Sequence, residues 1–230
     1  MFFDPMYLLF IAPGLALALW ASYRVRRSFA AYSEVPSARG YTGAEAAQHL
    51  LDRAGITDVR VVPTNGFLSD HYNPLTKELA LSEAVYSSRS IAAIGVAAHE
   101  AGHATQHAAH YFPMWVRSVL VPTASVGSSL GYIVMAVGLM LSPYVVLLGA
   151  VLFSAVVLFQ LVTLPVEFDA TSRAKQLVLE TGIIHPSERD GMDRVLNASA
   201  LTYVAAVVSS LLVLLYYLFR AGFLGGQDDN

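Results

Sequence analysis

Four stretches of the chain are almost wholly apolar, and the polar positions gather between them. A helix of about 20 apolar residues crosses a hydrocarbon core of roughly 30 Å. The first stretch is 1–22, broken only by Asp4 and by Pro and Gly residues. The second runs from Val119 to Leu141, the third from Tyr144 to Leu164 and the fourth from Leu201 to Phe219. Ser142-Pro143 makes a tight turn between the second and third. The pattern predicts a membrane helix at 1–22, a membrane hairpin at 119–164 and a membrane helix at 201–219. The hairpin contains Gly127-Ser-Ser-Leu-Gly131, small residues that permit close helix approach. No Lys or Arg precedes the first stretch, while Arg24, Arg26 and Arg27 follow it. A cleaved signal peptide has the opposite order, so 1–22 reads as a retained anchor with its N-terminus outside.

The stretch 23–118 reads as soluble α+β structure. Thr42-Gly-Ala-Glu45 is a capping box. The helix behind it sets Ala47, Leu50, Leu51 and Ala54 on one face, and Gly55 is its stop. Val59–Val62 reads as a short strand. Residues 66–81 read as a hairpin, with Leu68–Tyr72 going up, Asn73-Pro74 at the bend and Glu78–Leu81 coming back. Ser90 caps a long helix running to about His110. A second polar segment covers 165–200, and 220–230 is an external tail with a frayed end.

Composition and charge sharpen this map. Hydrophobic residues make up 55% of the chain and charged residues 13%, against about 25% charged in a soluble domain. Of the 14 Lys and Arg, nine lie between the first and second spans and four between the third and fourth; only Arg220 lies elsewhere. With four spans these two segments share one face, and the positive-inside bias makes that face cytoplasmic. A net charge of −3 and the lack of a basic stripe exclude a nucleic-acid partner. There are no cysteines, so any metal must use His, Asp or Glu.

The chemistry-bearing motif is His99-Glu100-Ala101-Gly102-His103. Residues four apart share a helix face, so two imidazoles aim at one point, and Glu100 is one step round, within reach of a water on the metal. Zinc in a catalytic site takes a third protein ligand. A metzincin would have Gly at 106 and His at 109; Gln106 and Ala109 stand there instead. His107 lies a further turn along, about 6 Å past His103, which is too far for one tetrahedral ion. Glu167, in Pro165-Val-Glu-Phe-Asp-Ala-Thr-Ser-Arg-Ala174, is the better third ligand. It follows span three and so returns to the face that carries the motif helix. Asp169 is the rival carboxylate for that position, but it lies about 200° round the helix from Glu167, so both cannot easily hold one ion. With Glu167 as ligand, Asp169 is either a partner that orients a histidine or the ion-pair partner of Arg173. His71 and His185 are further candidates for contact with the tetrahedral transition state.

These residues resemble the YugP-like family of neutral zinc metallopeptidases. The resemblance rests on Arg39-Gly-Tyr-Thr-Gly-Ala-Glu45, Ser69-Asp-His-Tyr72, Val96-Ala-Ala-His-Glu-Ala-Gly-His103, Leu164-Pro-Val-Glu-Phe-Asp-Ala170 and Leu201-Thr-Tyr-Val-Ala205. At one remove the layout is similar to the HtpX-type and CAAX-prenyl-protease membrane metallopeptidases, which use a downstream Glu-x-x-Ala-Asp. Glu167 and Ala170 match that pattern, while Thr171 replaces the Asp. The resemblance implies an edge strand that takes substrate as an added β-strand, for which 66–81 is the candidate. It also matches His185-Pro186 to a His-Pro element that follows the ligand Glu.

The expectation is therefore a mainly α membrane protein. It has four transmembrane helices and a small α+β, zincin-like catalytic domain on the cytoplasmic face of the inner or plasma membrane. The expected activity is metalloendopeptidase cleavage of a peptide or protein substrate at the bilayer, with Zn2+ held by His99, His103 and Glu167 and with Glu100 as general base. Two rival classes share the motif. An intramembrane site-2-type protease would carry it inside a span with an Asp in a later one. A zinc-binding or transport protein would need polar ligands within its spans. Here His103–His110 is polar and spans three and four lack an interior Asp. An inactive scaffold has no use for Glu100.

Overall fold

The computed structural model describes residues 4–224. The expectations for 1–3 and for the end of the tail, 225–230, lie outside the described residues. The helices are α1 (Pro5–Ser33), α2 (Gly43–Arg53), α3 (Glu83–Tyr86), α4 (Ile91–Ala108), α5 (Phe112–Leu141), α6 (Pro143–Thr181) and α7 (Arg189–Arg220). The strands are β1 (Arg60–Thr64), β2 (His71–Asn73) and β3 (Glu78–Ser82). A 3-10 turn, Pro186–Glu188, leads into α7. Among the described residues, four helical stretches are long and apolar enough to cross a membrane: α1, α5, α6 and Pro186–Arg220. All four continue past the apolar blocks, and α6 reaches 39 residues. Helical backbone bonds need no apolar side chains, so the blocks mark only the part of each helix fit for lipid.

The chain forms two compact units. The helical unit takes in the chain up to Ala21, Trp115–Pro165 and the chain from Thr202; the mixed unit takes in Ser22–Met114 and Val166–Leu201. In the helical unit, α5 and α6 form a hairpin packed backbone to backbone. A Cβ on Gly127 would meet the Leu152 carbonyl oxygen at 2.7 Å, and one on Gly131 would meet the Phe153 nitrogen at 2.8 Å. The small-residue stripe read from the sequence is therefore the helix contact itself. Asp4, the one acid in the first apolar block, accepts a hydrogen bond from the Tyr216 hydroxyl at 2.9 Å and pairs with Arg220 at 3.4 Å.

In the mixed unit, Thr42 and Glu45 make the expected reciprocal capping box on α2. The helix ends at Arg53, so Ala54 is an exposed cap, and Gly43, Ala46, Ala47, Leu50 and Leu51 are the buried face instead. The sheet is mixed. β3 is central, parallel to β1 and antiparallel to β2, with strand order β1-β3-β2. The expected up-strand at 68–72 is shorter, because Leu68 takes a left-handed φ of 55° and only His71–Asn73 pair. Ser90 caps α4 by accepting from the Ala93 N–H at 3.2 Å. At its far end His110, at φ 50°, turns the chain so that the Tyr111 N–H reaches the Gln106 carbonyl at 3.0 Å. The core gathers Leu50, Leu51, Leu79, Leu81 and Ile94 against a nearly all-alanine face of α4.

Leu50 has no exposed surface in that core. Leu50→Ala removes the apolar contact and leaves a cavity, at a cost of about 2–5 kcal/mol. Denaturant unfolding of the detergent-solubilised protein measures it; a shift below about 0.5 kcal/mol would show that the core packs elsewhere.

Candidate metal centre

Two helix positions on α4 and one on α6 converge inside the mixed unit. His99 and His103 are one turn apart on α4, and their rings sit edge to face with centroids 4.8 Å apart. Glu167 reaches them from α6. Its Oε2 lies 3.2 Å from His99 Nε2 and 3.5 Å from His103 Nε2. One ligand atom from each of the three lies within 4.8 Å of the others, and all three side chains are buried.

This meeting depends on how closely α4 and α6 approach. Gly102 lies on the contact, where a Cβ would stand 2.4 Å from the Ala170 carbonyl oxygen. Ala101 and Ala104 beside it and Ala170 and Ala174 across from it are buried and small. A larger side chain at Gly102 would push the helices apart at this crossing and pull Glu167 away from the histidines.

The other ring nitrogens are held as well. His103 Nδ1 is 3.0 Å from Gln106 Oε1, and His99 Nδ1 is 3.3 Å from Thr171 Oγ1. Gln106 Nε2 donates to the Val166 carbonyl and to Asp169 Oδ2, each at 2.7 Å. Arg173 Nε donates to the same Asp169 oxygen at 2.6 Å, and its guanidinium lies 5.7 Å from the Tyr111 ring centre. Asp169 is thus the ion-pair partner of Arg173 and touches neither histidine. Thr171, the departure from the relatives' Asp, is the residue against His99.

Glu100 is buried. That burial, reinforced by Glu167 and Asp70 and opposed by His99 and His71, pushes its carboxyl up to about 7. His71 lies on the edge strand β2, its Nδ1 at 2.8 Å from the Ser69 carbonyl. His185 caps the 3-10 turn, with Nδ1 2.9 Å from Ser187 Oγ, and is exposed. His107 takes part in a separate contact, its Nδ1 2.8 Å from the Tyr72 hydroxyl.

In the sequence Gln106 stands out only as a departure from the metzincin pattern. At 100° per residue, His99, His103 and Gln106 fall within an arc of about 60°, a signal that was available. No sequence rule marks Thr171 as a neighbour of His99, because that contact crosses between helices.

The donor set suits zinc. Two imidazole nitrogens and a carboxylate oxygen are a familiar three-ligand set for a catalytic ion. The facing atoms also require a cation. Gln106 must present its carbonyl to His103, which puts a proton on Nδ1 and, in the neutral ring, leaves an Nε2 lone pair facing the Glu167 carboxylate. Two acceptors 3.5 Å apart repel unless a proton or a metal ion lies between them.

These features define a helical protein with four helices fit to cross a membrane and a buried His-His-Glu group able to hold a metal. The chain belongs to the family described as "putative neutral zinc metallopeptidase", which matches residues 7–222. It is 44% identical over 226 residues to "Putative membrane protease YugP" of Bacillus subtilis (strain 168), covering 98% of this chain and 100% of that protein. No solved structure matches it.

Because the Gly102 contact involves backbone, it cannot relax by rotating a side chain. Gly102→Ala is expected to destabilise the mixed unit by at least about 1–3 kcal/mol. Thermal unfolding followed by circular dichroism reads the loss. A wild-type midpoint would mean that the two helices part there at no cost.

Proposed function

We propose that the protein is a zinc-dependent endopeptidase of the cell membrane that cleaves peptide bonds at the cytoplasmic surface. The observation that carries this reading is the buried convergence of His99, His103 and Glu167 within 4.8 Å. In this reading those three side chains hold zinc. When bound, zinc supplies a Lewis acid that polarises a carbonyl and eases the deprotonation of water. Glu100, next to His99 on the same helix, takes the proton from the attacking water and returns it to the leaving amine. The outer edge of β2 takes an extended peptide by backbone pairing. His71, on that strand and close enough to affect the Glu100 carboxyl, is the candidate donor to the transition-state oxygen.

Helix length and charge support this location. At 1.5 Å per residue, the 39 residues of α6 extend about 58 Å, nearly twice a hydrocarbon core of roughly 30 Å. A span of about 20 residues starting at Pro143 ends near residue 163, so Glu167 falls beyond it. α4 is not among the stretches long and apolar enough to cross, which weighs against a site inside a span. The Lys and Arg bias between spans supports a site on the cytoplasmic side.

Glu100→Gln is expected to keep bound zinc and to lower cleavage of an unfolded test protein by about 10²–10⁴. His103→Ala is expected to lose both. Zinc content by atomic emission and gel-based cleavage distinguish them, and undiminished cleavage by Glu100→Gln would end this mechanism.

A further inference from the structure

The amide of Gln106 has a single satisfying orientation. Its Nε2 faces two groups that only accept hydrogen bonds, the Val166 carbonyl and the Asp169 carboxylate, each at 2.7 Å. A flipped amide would set oxygen against oxygen at both. Its Oε1 is therefore the atom 3.0 Å from His103 Nδ1, and an acceptor there requires that Nδ1 carry the proton. The lone pair of His103 is then on Nε2, the nitrogen aimed at Glu167. Gln106 is wholly buried, so water cannot substitute for any of these partners.

We propose that Gln106 is a positioning residue for the metal centre: it fixes His103 in the Nδ1–H tautomer and ties the histidine helix α4 to the Glu167 helix α6. The proposal deepens the zinc reading above and rests on it. The two ends of the side chain do separate work. Oε1 selects the tautomer and ring orientation of one ligand. Nε2 holds the backbone of Val166, the residue before the carboxylate ligand, and so sets the separation between ligands that come from different helices. Asp169, held by Arg173 at 2.6 Å, completes a chain in which the carboxylate is one link removed from the imidazole. A carboxylate directly on a zinc-bound histidine raises its basicity. A neutral amide in that position orients the ring with less added charge.

The test is zinc affinity, which requires no substrate. Gln106→Met keeps the volume and removes all three hydrogen bonds; Gln106→Glu keeps an acceptor for His103 and removes both donors. Detergent-solubilised protein would be titrated with zinc against a chromophoric chelator, with wild type and His103→Ala as references. Gln106→Met is expected to bind zinc about 10–100-fold more weakly than wild type. Its cobalt-substituted form is expected to show an altered visible spectrum. Gln106→Glu is expected to fall between the two. Wild-type affinity and spectrum in Gln106→Met, with His103→Ala inactive in binding, would overturn this proposal and leave the zinc site standing. Failure of wild type itself to bind zinc would overturn the reading beneath it. Should Gln106→Met not fold, histidine ¹⁵N shifts of the wild-type apoprotein decide. His103 as the Nδ1–H tautomer supports the proposal, and the Nε2–H tautomer overturns it.

Discussion

The constraint on which the buried site rests is the contact between Gly102 of α4 and the Ala170 carbonyl of α6. Everything chemical in the molecule depends on it. A carboxylate reaches only a few ångströms from its backbone, and Glu167 must come within 3.2–3.5 Å of two imidazoles on another helix. That reach is possible only if neither helix carries bulk at the crossing. The residues between the two histidines, Ala101 and Gly102, are therefore spacers with a steric role. So are Ala170 and Ala174, one and two turns beyond Glu167 on its buried face. The same rule of small residues at close crossings recurs in the α5–α6 hairpin, at Gly127 and Gly131. There it serves helix association alone.

Close packing brings an electrostatic problem with it. Four ionisable side chains, His99, Glu100, His103 and Glu167, are buried in one small volume. An uncompensated carboxylate in such a setting is costly and tends to take up a proton. Glu100 follows that tendency, its carboxyl pushed up by burial and by the Glu167 carboxylate. Glu167 instead faces Nε2 of both imidazoles, an arrangement that a positive charge at its centre would satisfy. A divalent ion would satisfy all three ligands together. It would also counter the charge on Glu167 that disfavours ionised Glu100. The two acids are in this sense coupled, and each is tolerable because of what stands beside it.

The sequence carried the architecture further than the contacts. Four apolar blocks are legible because a lipid core demands about 20 apolar residues, and nothing else in the chain imitates that run. The α2 cap is legible because Thr42 and Glu45 act within one turn. The ends of the long helices are not, since α6 runs on to Thr181 through polar residues that helical hydrogen bonding accepts as readily as apolar ones. The strand at 68–72 is overread for a related reason: period and composition do not reveal that Leu68 adopts a left-handed turn. His99 and His103 are legible from spacing alone. Glu167 needed the parity of the spans, a long-range argument that happens to depend on topology and not on contact detail. Gln106 and Thr171 are side chains whose meaning lies in what crosses from another helix, and their residue types alone carry no such information.

Thr171 shows why this matters for reading the site. Judged against a Glu-x-x-Ala-Asp pattern it is a missing carboxylate, and Asp169 looks like the replacement. In space the two roles divide differently. Thr171 lies one turn past Glu167, on the same face, and meets His99 at 3.3 Å. Asp169 is on the other side of the helix, where it reaches Gln106 and Arg173. Each histidine thus has an uncharged partner on Nδ1, a hydroxyl for one and an amide for the other. The negative charge of the surroundings is kept one residue further out and neutralised by Arg173. Hydrogen bonds from such partners would hold both rings in place. They contribute less negative charge to the centre than carboxylates would, so a bound ion would keep more of its Lewis acidity for substrate and water.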